Sequence, residues 1–141
     1  MSPRSRLHPS AIGLVALGGA LGASARYGLS VWVPDSCSGF PWTTFAINLA
    51  GSFLLALLPA FSAVRRSLHL PLLLGPGCLG GFTTLSTYSE QVRGLIADGS
   101  LGTATAYLTG TFLACLAAVA VADRFSDPEA RAEFEAEEGD L

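Results

Sequence analysis

Four apolar stretches of membrane-spanning length follow one another between Ala11 and Ala122 of this 141-residue chain. A helix needs about 20 mostly apolar residues to cross a hydrocarbon core roughly 30 Å thick. The blocks run from about Ala11 to Val33, Trp42 to Ala63, Pro71 to Ile96 and Leu101 to Ala122. Charged residues make up only 13% of the chain, whereas a soluble domain carries about 25%. The expectation is an all-α integral membrane protein of four transmembrane helices in one domain, residues 11–122, between a short segment 1–10 and a tail 123–141. Such a chain has little room for a substrate domain or a nucleotide fold. The first block is read as a retained helix, because a cleaved leader would precede a soluble protein rather than three more apolar blocks.

Net charge, −3 over the whole chain, averages two unlike regions. Residues 1–122 hold six arginines and three acids, while residues 123–141 hold eight acids and two arginines. The tail has few apolar anchors and reads as solvent-bound. There is no lysine and no basic face, which sets nucleic acid aside as a partner. Cys37, Cys78 and Cys115 lack zinc-like spacing and read as small hydrophobes. An even number of spans puts both ends on one side. That side carries Arg4, Arg6, Arg65, Arg66, Arg124 and Arg131 against Arg93 on the other, so the termini are expected in the cytoplasm.

The third block, PLLLGPGCLGGFTTLSTYSEQVRGLI, is the unusual one. Gly75, Pro76, Gly77, Gly80 and Gly81 precede Thr83, Thr84, Ser86, Thr87 and Ser89. Non-helical backbone at membrane depth is tolerated where protein or a water-filled cavity satisfies its polar groups. A break near Gly80 to Thr84 would free carbonyls at one half-helix end and amides at the other, an ion-binding arrangement. The alternative is an unbroken packing helix whose threonines bond back to their own carbonyls. In the first block, small residues from Gly18 to Ala25 suit close helix packing. In the second, Pro59 is placed to kink the helix or to limit its last turn. Trp32 and Trp42 mark one headgroup layer. In the fourth, Thr103, Tyr107 and Thr111 share a helix face, either lining a path or bonding a neighbour.

Two further polar residues need partners. Arg26 must snorkel, find a carbonyl or anion, or face a cavity, and a structural or vestibule role is favoured over direct ion contact. Asn48 is too short to snorkel and either bonds across helices or faces a pore. Glu90 is the only acid inside the blocks. The donors therefore suit an anion better than a divalent cation, which takes several oxygen ligands, and a small monovalent cation stays open where carbonyl oxygens converge.

The run GCLGGFTTLSTYS, Gly77 to Ser89, resembles the broken-helix signature of the CrcB or Fluc family of small fluoride channels. GGALGASARY, Gly18 to Tyr27, and FAINLAGSF, Phe45 to Phe53, resemble that family's first two helices, in order. The resemblance implies a dimer of oppositely oriented subunits in the cytoplasmic membrane, with passive fluoride export along the subunit interface. It implies a structural sodium ion, Na+, held by the main-chain carbonyls of Gly80 and Thr83. It places Asn48, Ser86, Thr87 and Tyr88 on the anion path, with Tyr107 and Thr111 as fourth-helix counterparts and Arg26 in a vestibule or structural role. Leu85 and Tyr88 stand where the family carries phenylalanines, and Gln91 where it usually has glutamate. These departures favour pairing with a paralogous chain over a homodimer, or a non-conducting structural or regulatory subunit. A small multidrug exporter is the third reading, opposed by the lack of an acid between Ala11 and Val33. No enzyme role is expected, since no nucleophile and base pair or histidine cluster lies among the blocks.

Overall fold

A computed structural model describes residues 9–35 and 39–126, and every regular element among them is helical. Helix α1 spans Pro9–Trp32 and α2 spans Trp42–Leu57. Pro59 ends α2 in a 3-10 turn, Leu58–Ala60, before a short α3, Ser62–Arg65. The third apolar block opens with α4, Leu70–Leu72, widens into a π-helical stretch, Leu73–Leu79, and closes with α5, Gly80–Phe82. Pro76 lies inside the widened stretch, where wider bonding accommodates a residue that has no N–H and crowds the carbonyl four residues back. After Thr83 and Thr84 the chain resumes as α6, Leu85–Ala97. Helix α7, Leu101–Ala122, follows and ends in a 3-10 turn, Asp123–Phe125. Arg4, Arg6, Cys37, Arg131 and the acidic tail from Asp127 lie outside the described residues.

Among the described residues, three helices are long and apolar enough to cross a membrane: Pro9–Trp32, Trp42–Ala60 and Leu101–Phe125. The third block is interrupted, and its second half, α6, has 13 residues, a rise of only about 20 Å. The break is narrower than the expected Gly80–Thr84 window. Gly80 and Gly81 are helical, whereas Thr83 (φ −74°, ψ 157°) and Thr84 (φ −146°, ψ 117°) are extended.

The glycines serve contact rather than interruption. Helix α1 packs along the π-helical stretch and α5. A Cβ on Gly18 would lie 2.8 Å from the Cys78 amide nitrogen, and one on Gly22 would lie 2.9 Å from that of Phe82. Small side chains are what allow such approach where apolar burial drives little association in lipid. Helix α2 packs on α7, and α6 on α7. The α6–α7 joint buries Leu95, Ala104 and Tyr107, with Phe40, Phe45, Tyr88 and Val92 around them. The Gly99 N–H bonds the Ile96 carbonyl and the Ser100 N–H bonds that of Leu95. With Gly99 at φ 76°, this is the glycine-terminated cap that reverses a chain between helices. Leu17, Leu21, Trp32 and Leu116 are exposed on the outer faces, as a bilayer or a partner subunit would require.

Candidate functional site: a clasped helix break

Where α5 stops, its last carbonyls lose the amides of a following turn. The Thr83 amide and hydroxyl both donate to the Leu79 carbonyl at 3.0 Å. Thr83 thus makes the back-bond of the unbroken-helix reading, yet the helix still breaks. Arg26 on α1 donates from Nε to the Gly81 carbonyl at 3.3 Å, which places its guanidinium against the last turn before the break. No described residue donates to the carbonyls of Gly80 or Thr83.

Thr84 is held from both sides. Asn48 on α2 donates from Nδ2 to the Thr84 carbonyl at 3.0 Å and accepts from the Thr84 amide at Oδ1 at 2.8 Å. Both groups are buried, and the side-chain amide completes for one residue what a neighbouring strand would supply. Asn48 therefore bonds across helices. The Thr84 hydroxyl caps α6 by accepting from the Thr87 amide at 3.1 Å. It donates its single proton to the Thr87 hydroxyl at 3.0 Å and lies 3.3 Å from that of Ser86. The Thr87 hydroxyl proton is thereby left free of this network.

Asn48, Ser52, Thr83, Thr84, Tyr88 and Thr111 line a groove of about 270 Å³ between α2, the break, α6 and α7, whose wall is otherwise apolar, with Leu55, Phe112 and Cys115. Leu85 joins its wall and is 78% exposed. Thr111 is buried, and its Oγ1 has no hydrogen-bond partner among the described residues; a buried unpaired hydroxyl is costly unless something else meets it. Tyr88 donates its proton to the Leu108 carbonyl at 2.5 Å, so what it offers the groove is its ring. Tyr107 is on the same face of α7 as Thr111, but it is fully buried, outside the groove, and donates to Gln91 Oε1 at 2.8 Å. The structure thus gathers Asn48, Ser86, Thr87, Tyr88 and Thr111 around the break and carries Tyr107 to a second polar cluster.

That cluster centres on Asp35, which in sequence reads only as a loop residue suited to irregular backbone between Pro34 and Pro41. Its carboxylate accepts from the Thr43 amide at 2.7 Å, the Thr44 amide at 3.2 Å, the Thr44 hydroxyl at 3.0 Å and Gln91 Nε2 at 3.1 Å. Helix α2 begins after Pro41 with no side-chain cap there, and Asp35 supplies one from the preceding loop, where negative charge also suits the helix dipole. Burial raises the Asp35 pKa, but the hydrogen bonds from Thr43, Thr44 and Gln91 outweigh it and leave it below its ordinary value. A depressed carboxylate contributes stability that is present above the unfolded pKa of about 3.9 and lost as pH falls through the folded value. Wild type should therefore melt above Asp35→Asn by a constant margin from pH 8 to 5, and the margin should begin to narrow below about pH 4 and shrink further as pH falls through the lower folded value. Melting curves of the detergent-solubilised proteins check this; a margin independent of pH would remove Asp35 as the cause.

Together the apolar helices, the interrupted block and its clasp define a small multi-pass helical membrane protein organised around a backbone break. The chain belongs to the CrcB-like family: residues 13–122 match the family described as CrcB-like protein, Camphor Resistance (CrcB). It is 45% identical over 116 residues to fluoride-specific ion channel FluC 1 of Streptomyces coelicolor, covering 81% of this chain and 75% of that one. It is 46% identical over 108 residues to fluoride-specific ion channel FluC of Thermus thermophilus, covering 74% and 85%. The Nocardia farcinica protein named FluC 2 is 41% identical over 115 residues, covering 80% of this chain and 82% of that one. These relatives are channels by name, not enzymes.

Proposed function

We propose that the chain is a subunit of a passive fluoride channel of the cytoplasmic membrane, with the interrupted third block as its fourth span. The observation that carries this is the clasped break at Thr83–Thr84 and the unpaired Thr111 hydroxyl in the groove beside it, and the relatives named as fluoride channels supply the ion. A fluoride ion gives up strong hydration to enter a narrow path, so replacement donors must already be in place. The unpaired hydroxyl of Thr111 in the groove is such a donor, and the ring edge of Tyr88 adds partial positive charge.

The path is completed by an oppositely oriented second subunit, either a second copy or, better suited to this chain, a paralogue. The arginine bias keeps the termini cytoplasmic, and an opposed partner with reversed bias reconciles that topology with an antiparallel pair. The carbonyls of Gly80 and Thr83 suit a small monovalent cation: they are main-chain oxygens at a helix break, and no described residue donates to them. Sodium held there would offset the repulsion between carbonyl dipoles and a passing anion.

Proteoliposomes loaded with fluoride test the reading, with the chain alone and with a candidate partner. Efflux without an energy source is expected in at least one preparation. Folded dimers silent in both would reject it. A non-conducting role is the second reading, favoured by Leu85, which presents an exposed aliphatic side chain beside the groove where an aromatic edge would serve. Under the conducting reading Leu85→Phe raises flux through this subunit's path; normal assembly with no gain would turn the assignment to the structural role.

A further inference from the structure

Asp35 and Tyr107 lie on different elements, and Gln91 stands between them with one end of its amide toward each. A carboxylate only accepts hydrogen bonds, so Asp35 fixes which end of the Gln91 amide faces the loop. With Nε2 committed to Asp35 at 3.1 Å, Oε1 is turned toward α7, where it accepts the Tyr107 hydroxyl proton at 2.8 Å. The same carboxylate grips the first turn of α2 through Thr43 and Thr44. One anionic residue in the α1–α2 loop therefore joins the start of α2, the middle of α6 and the buried face of α7.

We propose that Asp35 is a positioning residue for the ion path, seating α6 through the oriented amide of Gln91. Helix α6 contributes Leu85 and Tyr88 to the groove wall, and Tyr88 stands about one turn before Gln91, so the placement of α6 against α7 sets the groove. Tyr107 follows from the same geometry as the anchor on α7. Its proton is spent on Gln91, and its part is to hold α6 rather than to meet the anion. Ring contacts support that seat: Tyr107 packs edge-on against Tyr88 at 5.1 Å and Phe40 at 5.2 Å.

The functional half of this inference rests on the fluoride-channel reading, and the test separates the two. Asp35→Ala removes both the grip on α2 and the hold on Gln91, whereas Gln91→Met, of similar length, removes only the bridge. Fluoride efflux from proteoliposomes should fall about tenfold in each single variant, the scale of one lost charge-assisted hydrogen bond. The double variant should fall no further, because both act on one link. Melting midpoints should behave differently, with Asp35→Ala lowered well below Gln91→Met because only the former uncaps α2. A role confined to stability predicts that flux tracks melting point. Multiplicative flux losses in the double variant, or unchanged flux in either single one, overturn the proposal. If the wild-type channel carries no fluoride, the function reading fails, and the melting points decide positioning: less-than-additive shifts for the pair support the bridge and additive shifts reject it.

Discussion

Replacing Gly22 by alanine should leave little correctly folded protein. A Cβ there would lie 2.8 Å from the Cys78 carbonyl carbon and 2.9 Å from the Phe82 nitrogen. Both are backbone atoms of the block packed against α1, so no side-chain rotation relieves the clash and the two elements must separate. Overpacking a well-fitted interior costs about 1–3 kcal/mol when side chains can yield, and backbone on both sides puts this site at the upper end or beyond. The separation would also draw Arg26, one turn further along α1, away from the Gly81 carbonyl. Gly28→Ala is the control, since nothing lies within 4 Å of its added Cβ; a change there should stay within about 0.5 kcal/mol. Size-exclusion profiles and melting points in detergent measure both. A Gly22→Ala protein that elutes and melts like wild type would show that α1 does not pack on the broken block as described.

The two kinds of glycine explain what could be read in advance. Helix α7 runs over Leu101–Ala122, the limits expected of an uninterrupted apolar run between a turn and a charge. The break was legible in kind, from glycines and hydroxyls crowded into one block, but Gly80 and Gly81 do not form it. Composition cannot distinguish a glycine that ends a helix from one that admits a neighbour, and Gly81 faces Gly19 of α1. What places the break at Thr84 is Asn48, 36 residues earlier, a pairing that local pattern does not carry. The Thr103, Tyr107, Thr111 spacing identified a helix face, yet its occupants part company, Thr111 to the groove and Tyr107 to Gln91. Asp35 was less visible still: it reads as a loop acid beside Pro34, and its tie to Gln91 spans 56 residues. The signal available was its place just ahead of a helix whose first residues lack a capping side chain.

The largest functional effect should come from Asn48→Ala. The substitution strips the Thr84 amide and carbonyl of their partners while both stay buried, and each unsatisfied group costs about 1–3 kcal/mol. Thr84 can recover those bonds by returning to helical geometry or by admitting water, and either course moves the cap on α6 that its hydroxyl provides. Loss of stability of about 2–4 kcal/mol is expected, together with a fall in fluoride flux of more than about 100-fold if that stabilisation is spent on the conducting geometry. Asn48→Asp separates the two contributions. A carboxylate still accepts from the Thr84 amide but cannot donate to its carbonyl, and it sets a negative charge beside an anion's path. Asn48→Asp should therefore melt above Asn48→Ala near pH 7 and yet conduct no better. Ser52→Ala, in the same groove but outside the clasp, should change melting by less than about 0.5 kcal/mol. Melting points and proteoliposome efflux for the three variants make the comparison, and an Asn48→Ala channel that melts and conducts like wild type would show that the clasp does not hold the break.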